Sequence, residues 1–283
     1  MNLLSGHRDL FEVAHGNLPC TNGVFISDIF NDGATFRRRA DTVTVAPGGK
    51  AFSDDASVAY VDVEGLGDKG KAYDVHLIAP LLLVSKVLIY NWKGAPNKHV
   101  MLDSLFTLGE AAQKVGMTDS ENGGVHKTTG KKALFGHLVV VLRDWHTTDE
   151  VYDLLFGLEM EPKRGDDAIR ARNASRELVL NAFESITIKC LPYPGLSQSD
   201  SSMTRLSALF VTKYLELQSH LVDLSQAPND RAEKLFNDRP LDGPTIATLL
   251  PVLADKLNSD EELLPKEVWR LMEEHRLHKI LDE

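Results

Sequence analysis

The fold is decided by one stretch of the chain, residues 62–72, which reads DVEGLGDKGKA. A β-branched and aromatic run at 57–63 leads into it, and residues 73–84 after it have the composition of a helix. The stretch is therefore predicted to join a strand to a helix, a junction where α/β proteins bind ligands. Three functional interpretations compete here with a plain glycine-rich connector whose acidic side chains are solvated.

The first interpretation is a dinucleotide-binding loop. Gly65, Gly67 and Gly70 match the spacing G-x-G-x-x-G. That fingerprint also needs an acidic residue about 20 positions later, where it binds a ribose hydroxyl. Tyr90 and Asn91 stand there instead, so the match is incomplete.

The second interpretation is a phosphate loop of the form G-x-x-x-x-G-K-[ST]. Residues 65–71 supply the glycines and the lysine, but Ala72 replaces the hydroxyl residue that would bind magnesium. Asp68 would also place a negative charge where backbone N–H groups should face phosphate.

The third interpretation is a switch loop that responds to a γ-phosphate. Asp62 then ends a strand and contributes to the magnesium shell, and the Gly65 N–H approaches the γ-phosphate without a side chain in the way. Glu64 and Asp68 cause no conflict, because such a loop does not wrap around the phosphates.

Strand and helix patterns alternate along the rest of the chain, which predicts an α/β fold with a mostly parallel sheet flanked by helices. Earlier runs at 24–26 and 42–45 suggest an antiparallel pair, and a helical flank follows residue 194. The predicted strands cover 87–91, 136–142 and 185–190, and the predicted helices cover 73–84, 102–115, 147–156, 167–184, 203–221, 243–257 and 265–281.

Two further patterns carry chemistry. Arg143 and Asp144 follow the most strand-like run, and a carboxylate there can accept hydrogen bonds from the N–H and NH₂ edge of guanine, which adenine lacks. By themselves these two residues also fit a surface ion pair. Thr21, before the run at 24–26, could place its hydroxyl on magnesium, although Thr-Asn-Gly is also a common turn.

Composition limits the kinds of partner. Lys and Arg total 31 against 41 Asp and Glu, a net charge of −10, which disfavours nucleic-acid binding. The two cysteines, Cys20 and Cys190, suit a reducing compartment, so we expect a cytoplasmic protein. The sequence predicts neither a signal peptide nor a transmembrane segment, and leaves association with a membrane surface open.

Taken together and in this order, the motifs resemble the guanylate-binding protein and atlastin family of large GTPases, part of the dynamin superfamily. The resemblance extends from residue 2 to about residue 258 and implies a P-loop NTPase-like G domain. We therefore expect a GTPase domain at 1–258 and a C-terminal helical extension at 259–283. The stretches that carry the resemblance are 21–24, 61–68, 81–91, 142–145 and 241–250.

The resemblance implies a role for each matching residue. Thr21 corresponds to the switch I threonine that binds magnesium and closes on the γ-phosphate, and Asp62 and Gly65 to the switch II pair. Arg143 and Asp144 correspond to the guanine-recognition motif. The expected ligands are GTP and Mg²⁺, the catalytic residues are Thr21 and Gly65, and a homodimer through the nucleotide face is expected.

One family motif is missing from these residues. The 283-residue sequence contains no G-x-x-x-x-G-K-[ST] loop, and the resemblance places that loop and the first strand just before Met1. Because the loop lysine and hydroxyl supply much of the charge stabilisation in phosphoryl transfer, we expect impaired GTP binding and hydrolysis. The alternative is a catalytically inactive module with a G-domain-like fold, used for interaction or dimerisation.

Overall fold

The computed structural model describes the parts of the chain that form the predicted sheet and most of the predicted helices. Its strands, in chain order, are β1 (Val24–Ile26), β2 (Asn31–Asp32), β3 (Ser57–Val58), β4 (Val61–Val63), β5 (Val87–Lys93), β6 (Phe135–Arg143), β7 (Phe183–Leu191), β8 (Leu235–Phe236) and β9 (Arg239–Pro240). Its helices are α1 (Lys71–Val84), α2 (Lys98–Lys114), α3 (Val151–Phe156), α4 (Asp167–Ala182), α5 (Ala208–Gln226) and α6 (Gly243–Asn258). The described residues are 24–26, 31–32, 57–58, 60–63, 70–94, 96–114, 135–147, 150–160, 167–195, 207–226, 235–236, 239–241, 243–258, 268–274 and 277.

The central sheet is parallel, with strand order β5-β6-β7, and it confirms the predicted α/β fold class. Strand β6 is the middle strand, and eight of its nine residues are buried. A continuous apolar run is typical of a strand covered on both faces, which is why the sequence at 136–142 was informative. In the register, Val87 of β5 pairs with His137 of β6, and His137 pairs with Ser185 of β7. The three strands therefore start at nearly the same level.

Helices cover both faces of this sheet. Leu138, Val140 and Leu142 of β6 belong to one core cluster, and Val139 and Val141 belong to a second. This division follows the period of two along a strand, in which successive side chains point to opposite faces. Helix α5 supplies the second face through side chains that include Tyr214 and Leu217, and the first face is covered by α1, α2, α3, α4 and α6.

Helix α1 is apolar on nearly all sides. Val75, Ile78, Ala79 and Leu82 are buried, and Pro80 lies inside the helix without ending it. A helix that is apolar all round needs neighbours on every side, and α1 packs against α2 and α6. It precedes β5 in the chain and begins directly after Gly70.

The remaining described strands form short antiparallel pairs. Strand β1 pairs with β4 and β2 pairs with β3, so the run predicted as one strand at 57–63 is divided between two partners. The predicted strand at 42–45 lies outside the described residues. Among the described strands, β4 has no hydrogen-bonded contact with β5.

Several predicted boundaries were wrong; for example, the helix predicted at 167–184 ends at Ala182, where β7 begins at the next residue. The helix predicted from residue 147 begins at Val151, because residues 144–147 form a turn that follows β6. The helix predicted from residue 203 begins at Ala208 in the described part of the chain. Residues 268–274 are helical, and Val268, Trp269 and Met272 pack into the first core cluster.

None of the helices among the described residues combines the length and the apolar composition that crossing a bilayer requires.

Candidate functional site

The carboxyl ends of the three parallel strands lie side by side. Lys93 of β5 pairs in register with Arg143 of β6, which pairs with Leu191 of β7. The Gly94 N–H donates to the Arg143 carbonyl oxygen at 2.9 Å, so the backbone of β5 and β6 stays joined where the strands end. Open α/β sheets bind ligands outside this edge, and it is here that Arg143 and Asp144 were predicted to act.

Asp144, the first residue after β6, has an unusual backbone conformation. Its φ is +59°, in the left-handed region that few residues other than glycine adopt readily. Aspartate tolerates this region better than most residues, and strain of this kind concentrates at functional sites. The side chain of Asp144 is half-buried and that of Arg143 is exposed, so a carboxylate and a guanidinium stand together at the edge of the sheet.

The turn that carries Asp144 is attached to β7 as well as to β6. The Trp145 N–H donates to the Leu191 carbonyl at 3.4 Å, and the Cys190 thiol donates to the Thr147 carbonyl at 3.0 Å. Trp145 also packs against the first core cluster, and its buried indole Nε1 has no hydrogen-bond partner in the described part of the chain. Cys190 is buried and takes part in this hydrogen bond as a thiol, not as half of a disulfide.

Asp62 lies in the two-stranded sheet. It is the middle residue of β4, pairs in register with Phe25 and is half-buried. Gly70, at the start of α1, has φ +94°, a conformation that favours glycine and that turns the chain from the Gly-rich stretch into the helix. The described residues therefore include strand residues at 57–58 and 61–63 and a helix at 71–84, as predicted on the two sides of the Gly-rich stretch.

Lys71 bears on the choice between a phosphate loop and a switch loop. Its Nζ atom lies 2.6 Å from Glu110 Oε1 on α2, and both side chains are about half-exposed. A phosphate-loop lysine must be available to phosphate oxygens, whereas this ammonium is already paired with a carboxylate. The strand before it, β4, is also antiparallel to its described neighbour. Because residues 64–69 lie outside the described residues, the choice between the two loops stays a prediction.

Thr21 and Gly65 lie outside the described residues, so their assigned roles stay predictions. Asp62, Arg143 and Asp144 are described, and only Arg143 and Asp144 are adjacent. Within the described ranges, no group of three or more His, Cys, Asp and Glu side chains is arranged to hold a metal ion.

The chemistry at the sheet edge fits a guanine base. An ionised carboxylate accepts hydrogen bonds and donates none, which matches the two N–H donors that guanine offers side by side. The half-buried position of Asp144 shields such bonds from competing water.

A buried charge network between α4 and the chain that follows α3 was not predicted from the sequence. Arg176 of α4 is 1% exposed and bonds Glu159 with its NH2 atom at 2.8 Å and the Leu155 carbonyl with Nε at 3.1 Å. The signal was present in the sequence, because Arg176 precedes the buried Val179 and Ala182 by three and six residues. That spacing puts the arginine on the apolar face of the helix.

A second polar group lies at the opposite edge of the sheet. His137 Nδ1 is 2.8 Å from Ser185 Oγ, and the Lys86 ammonium donates to the Ser225 carbonyl in the last turn of α5. Burial lowers the pKa of Lys86, and burial also lowers the pKa of His220 on α5, with Lys189 as a further cause. These groups attach α5 to the sheet far from the carboxyl-end edge.

The chain is similar over most of its length to one family of known proteins. The family model described as "Guanylate-binding protein, N-terminal domain" matches residues 27–226, which is more than half of the chain. The matched span includes Asp62, Gly65, Arg143 and Asp144 but begins after Thr21. A search of curated proteins returned no match.

Proposed function

Because this chain belongs to the guanylate-binding protein family through its N-terminal GTPase-type domain, we propose that it binds GTP and hydrolyses it with Mg²⁺. The single observation that carries the proposal is the position of Asp144, a half-buried carboxylate in a left-handed turn at the carboxyl end of the central strand. Residues 1–258 form the GTPase domain in this proposal, and 259–283 form its C-terminal helical extension.

Guanine recognition is assigned to Arg143 and Asp144. The Asp144 carboxylate accepts two hydrogen bonds from guanine N1–H and the exocyclic NH₂, whereas adenine presents a ring acceptor where N1–H would be. Arg143 is exposed at the same edge and contributes a positive charge toward the nucleotide. Discrimination against adenine follows, because adenine would leave the carboxylate without donors.

Phosphate sensing is assigned to Asp62, Gly65 and Thr21. Asp62 and Thr21 would hold the magnesium ion, which when bound offsets phosphate charge. Thr21 and Gly65 would orient the attacking water and the γ-phosphate, Gly65 through a backbone N–H that no side chain obstructs. The pairing of Lys71 with Glu110 supports this division of roles, because it leaves residues 65–71 as a switch rather than a phosphate loop.

We further propose that these 283 residues on their own bind GTP weakly. They contain no G-x-x-x-x-G-K-[ST] loop, and its lysine and hydroxyl normally contribute much of the binding of the β- and γ-phosphates. Base recognition and switch residues would then provide most of the affinity. The second candidate function, favoured by the same missing loop, is a module in the cytoplasm that dimerises through the nucleotide face without turnover.

Isothermal titration with a non-hydrolysable GTP analogue and Mg²⁺ tests the proposal. We expect the GTP analogue to bind more tightly than the matching ATP analogue and Asp144→Ala to remove the difference. Asp167→Ala is the control, because that carboxylate is exposed on α4 and lies outside the site.

The outcomes separate the two functions. A dissociation constant below ~10 μM, about −7 kcal/mol, would count against the inactive module. Equal binding of both analogues, unchanged by Asp144→Ala, would show the guanine assignment to be wrong.

A further inference from the structure

We propose that Arg176 is a positioning residue for the guanine selectivity of Asp144. It acts by holding α3, the helix that follows the turn containing Asp144. This inference rests on the proposed role of Asp144 and adds to it a residue on another helix. It is carried by the hydrogen-bond network of Glu159, Arg172, Asn173 and Arg176, called here the α4 clamp.

The α4 clamp holds the chain just after α3. The Arg172 guanidinium donates to both carboxylate oxygens of Glu159, from Nε at 3.0 Å and from NH2 at 2.7 Å. The Asn173 amide accepts from the Glu159 N–H and donates to its carbonyl, each at 2.9 Å. Arg176 completes the network by donating to Glu159 Oε1 and to Asn173 Oδ1.

Arg176 also caps the C-terminus of α3. The last carbonyl groups of a helix lack partners within the helix, and the Arg176 Nε–H donates to one of them, the Leu155 carbonyl. Burying a guanidinium is costly unless its donors are satisfied, and in Arg176 the Nε, NH1 and NH2 atoms each donate. The position of the residue is therefore tightly specified by its surroundings.

Helix α3 depends on this contact for its placement. It has only six residues, and its N-cap, Glu150, adopts φ +62° and makes no side-chain capping hydrogen bond. So short a helix is not stable by itself, because few backbone hydrogen bonds offset the cost of nucleation. Its orientation is set by packing of Val151, Leu155 and Phe156 and by the α4 clamp.

Asp144 lies between two fixed points of the chain. Strand β6 ends at Arg143, and α3 begins at Val151, so a short connection carries the carboxylate. Within the described part of this connection, Trp145 packs against the first core cluster and its N–H lies 3.4 Å from the Leu191 carbonyl oxygen, and the Thr147 carbonyl accepts a hydrogen bond from the Cys190 thiol. If α3 is released, the left-handed conformation of Asp144 can relax, and the carboxylate no longer matches the two donors of guanine.

The test measures base selectivity instead of stability alone. Ligand titration of the full chain gives the dissociation constants of an ATP analogue and a GTP analogue, and their ratio is the selectivity. The ligand concentration extends to ~1 mM, because a dissociation constant of that size corresponds to a binding free energy of about −4 kcal/mol. The variants are Arg176→Met, Arg176→Lys and Glu159→Gln, and Arg170→Met is the matched control, since Arg170 is an exposed arginine on the same helix.

We expect Arg176→Met and Glu159→Gln to reduce the selectivity ratio about 3- to 30-fold, the usual range for coupling through a packed network. Arg176→Lys keeps the charge and should retain part of the selectivity, and Arg170→Met should change nothing. If Arg176→Met loses its cooperative melting, the Lys and Gln variants decide the outcome.

Two results would overturn the proposal, and they differ. If the unchanged chain prefers GTP and the folded Arg176 and Glu159 variants keep that preference, the α4 clamp is structural only and the function of Asp144 stands. If the unchanged chain shows no preference for GTP, the proposed role of Asp144 fails and this inference fails with it.

Discussion

The close approach of β5 and β6 at Gly136 leads to a quantitative prediction. A Cβ atom at Gly136 would lie 2.7 Å from the carbonyl carbon of Lys86 and closer still to its oxygen. Carbon atoms in contact are normally about 3.5–4 Å apart, so Gly136→Ala requires a backbone shift of about 1 Å. The same Lys86 oxygen accepts the His137 N–H at 2.8 Å, and that hydrogen bond would be lost in the shift.

The expected loss of stability can be worked out from these two effects. Overpacking costs about 1–3 kcal/mol, and losing a buried backbone hydrogen bond costs about 0.5–1.5 kcal/mol. We expect Gly136→Ala to lower the free energy of unfolding by about 2–4 kcal/mol. That is a large fraction of the roughly 5–15 kcal/mol that stabilises a domain. In a thermal melt followed by circular dichroism, Tm should fall by about 4–16 °C.

Gly109→Ala is the matched control, because it makes the same chemical change in a helix. The added Cβ at Gly109 would meet Val179 Cγ2 at 3.5 Å and Leu178 Cβ at 3.6 Å, which are ordinary contacts. Alanine is about 1 kcal/mol better than glycine inside a helix, so this variant should be neutral or more stable. A Gly136→Ala protein within about 0.5 kcal/mol of the unchanged chain would refute the packing argument.

Two other predictions concern charged groups. Replacing Lys71 by Met should leave GTP affinity unchanged within about twofold, as should Glu110→Gln, because Lys71 pairs with Glu110 and the proposed function gives it no contact with phosphate. Loss of binding in Lys71→Met alone, measured by titration, would restore the phosphate-loop interpretation. Burial, with Lys189 as a further cause, lowers the pKa of His220 in the folded state, so the fold favours the neutral ring. The stability that His220 contributes is therefore present above its unfolded pKa of about 6.5 and is lost as the pH falls through that value toward the lower folded pKa. Urea denaturation across this window should show a weaker pH dependence for His220→Gln, and an identical dependence would contradict the assignment.

The sequence predicted the central sheet well for a physical reason. Strand β6 is buried on both faces, and apolar residues such as Val139 and Val140 predominate in such a position, so the run is visible without any knowledge of its neighbours. Partners of short strands were harder to predict. The pairing of β1 with β4 depends on contacts across some 35 residues of the chain, and no local pattern records it.

The candidate site was predictable only in part. Asp144 was identified from its place after a strand, but no sequence pattern marked its left-handed backbone conformation or the later start of α3. The α4 clamp was missed because Arg172 and Arg176 resemble the solvated charges of any surface helix. Only the position of Arg176 on the same face as Val179 distinguishes it, and polar residues on an apolar face are hard to interpret before their partners are known.

The central claim, that Asp144 reads the guanine base, is tested most directly by Asp144→Asn with GTP and xanthosine triphosphate. An asparagine amide accepts one hydrogen bond and donates another, which matches the N–H and the added carbonyl of xanthine instead of the two donors of guanine. A hydrogen bond to a charged group contributes about 1.5–3 kcal/mol, so we expect GTP affinity to fall by a factor of about 10–150. The preference should reverse in favour of xanthosine triphosphate. If the Asn variant keeps the same preference for GTP as the unchanged chain, Asp144 does not contact the base.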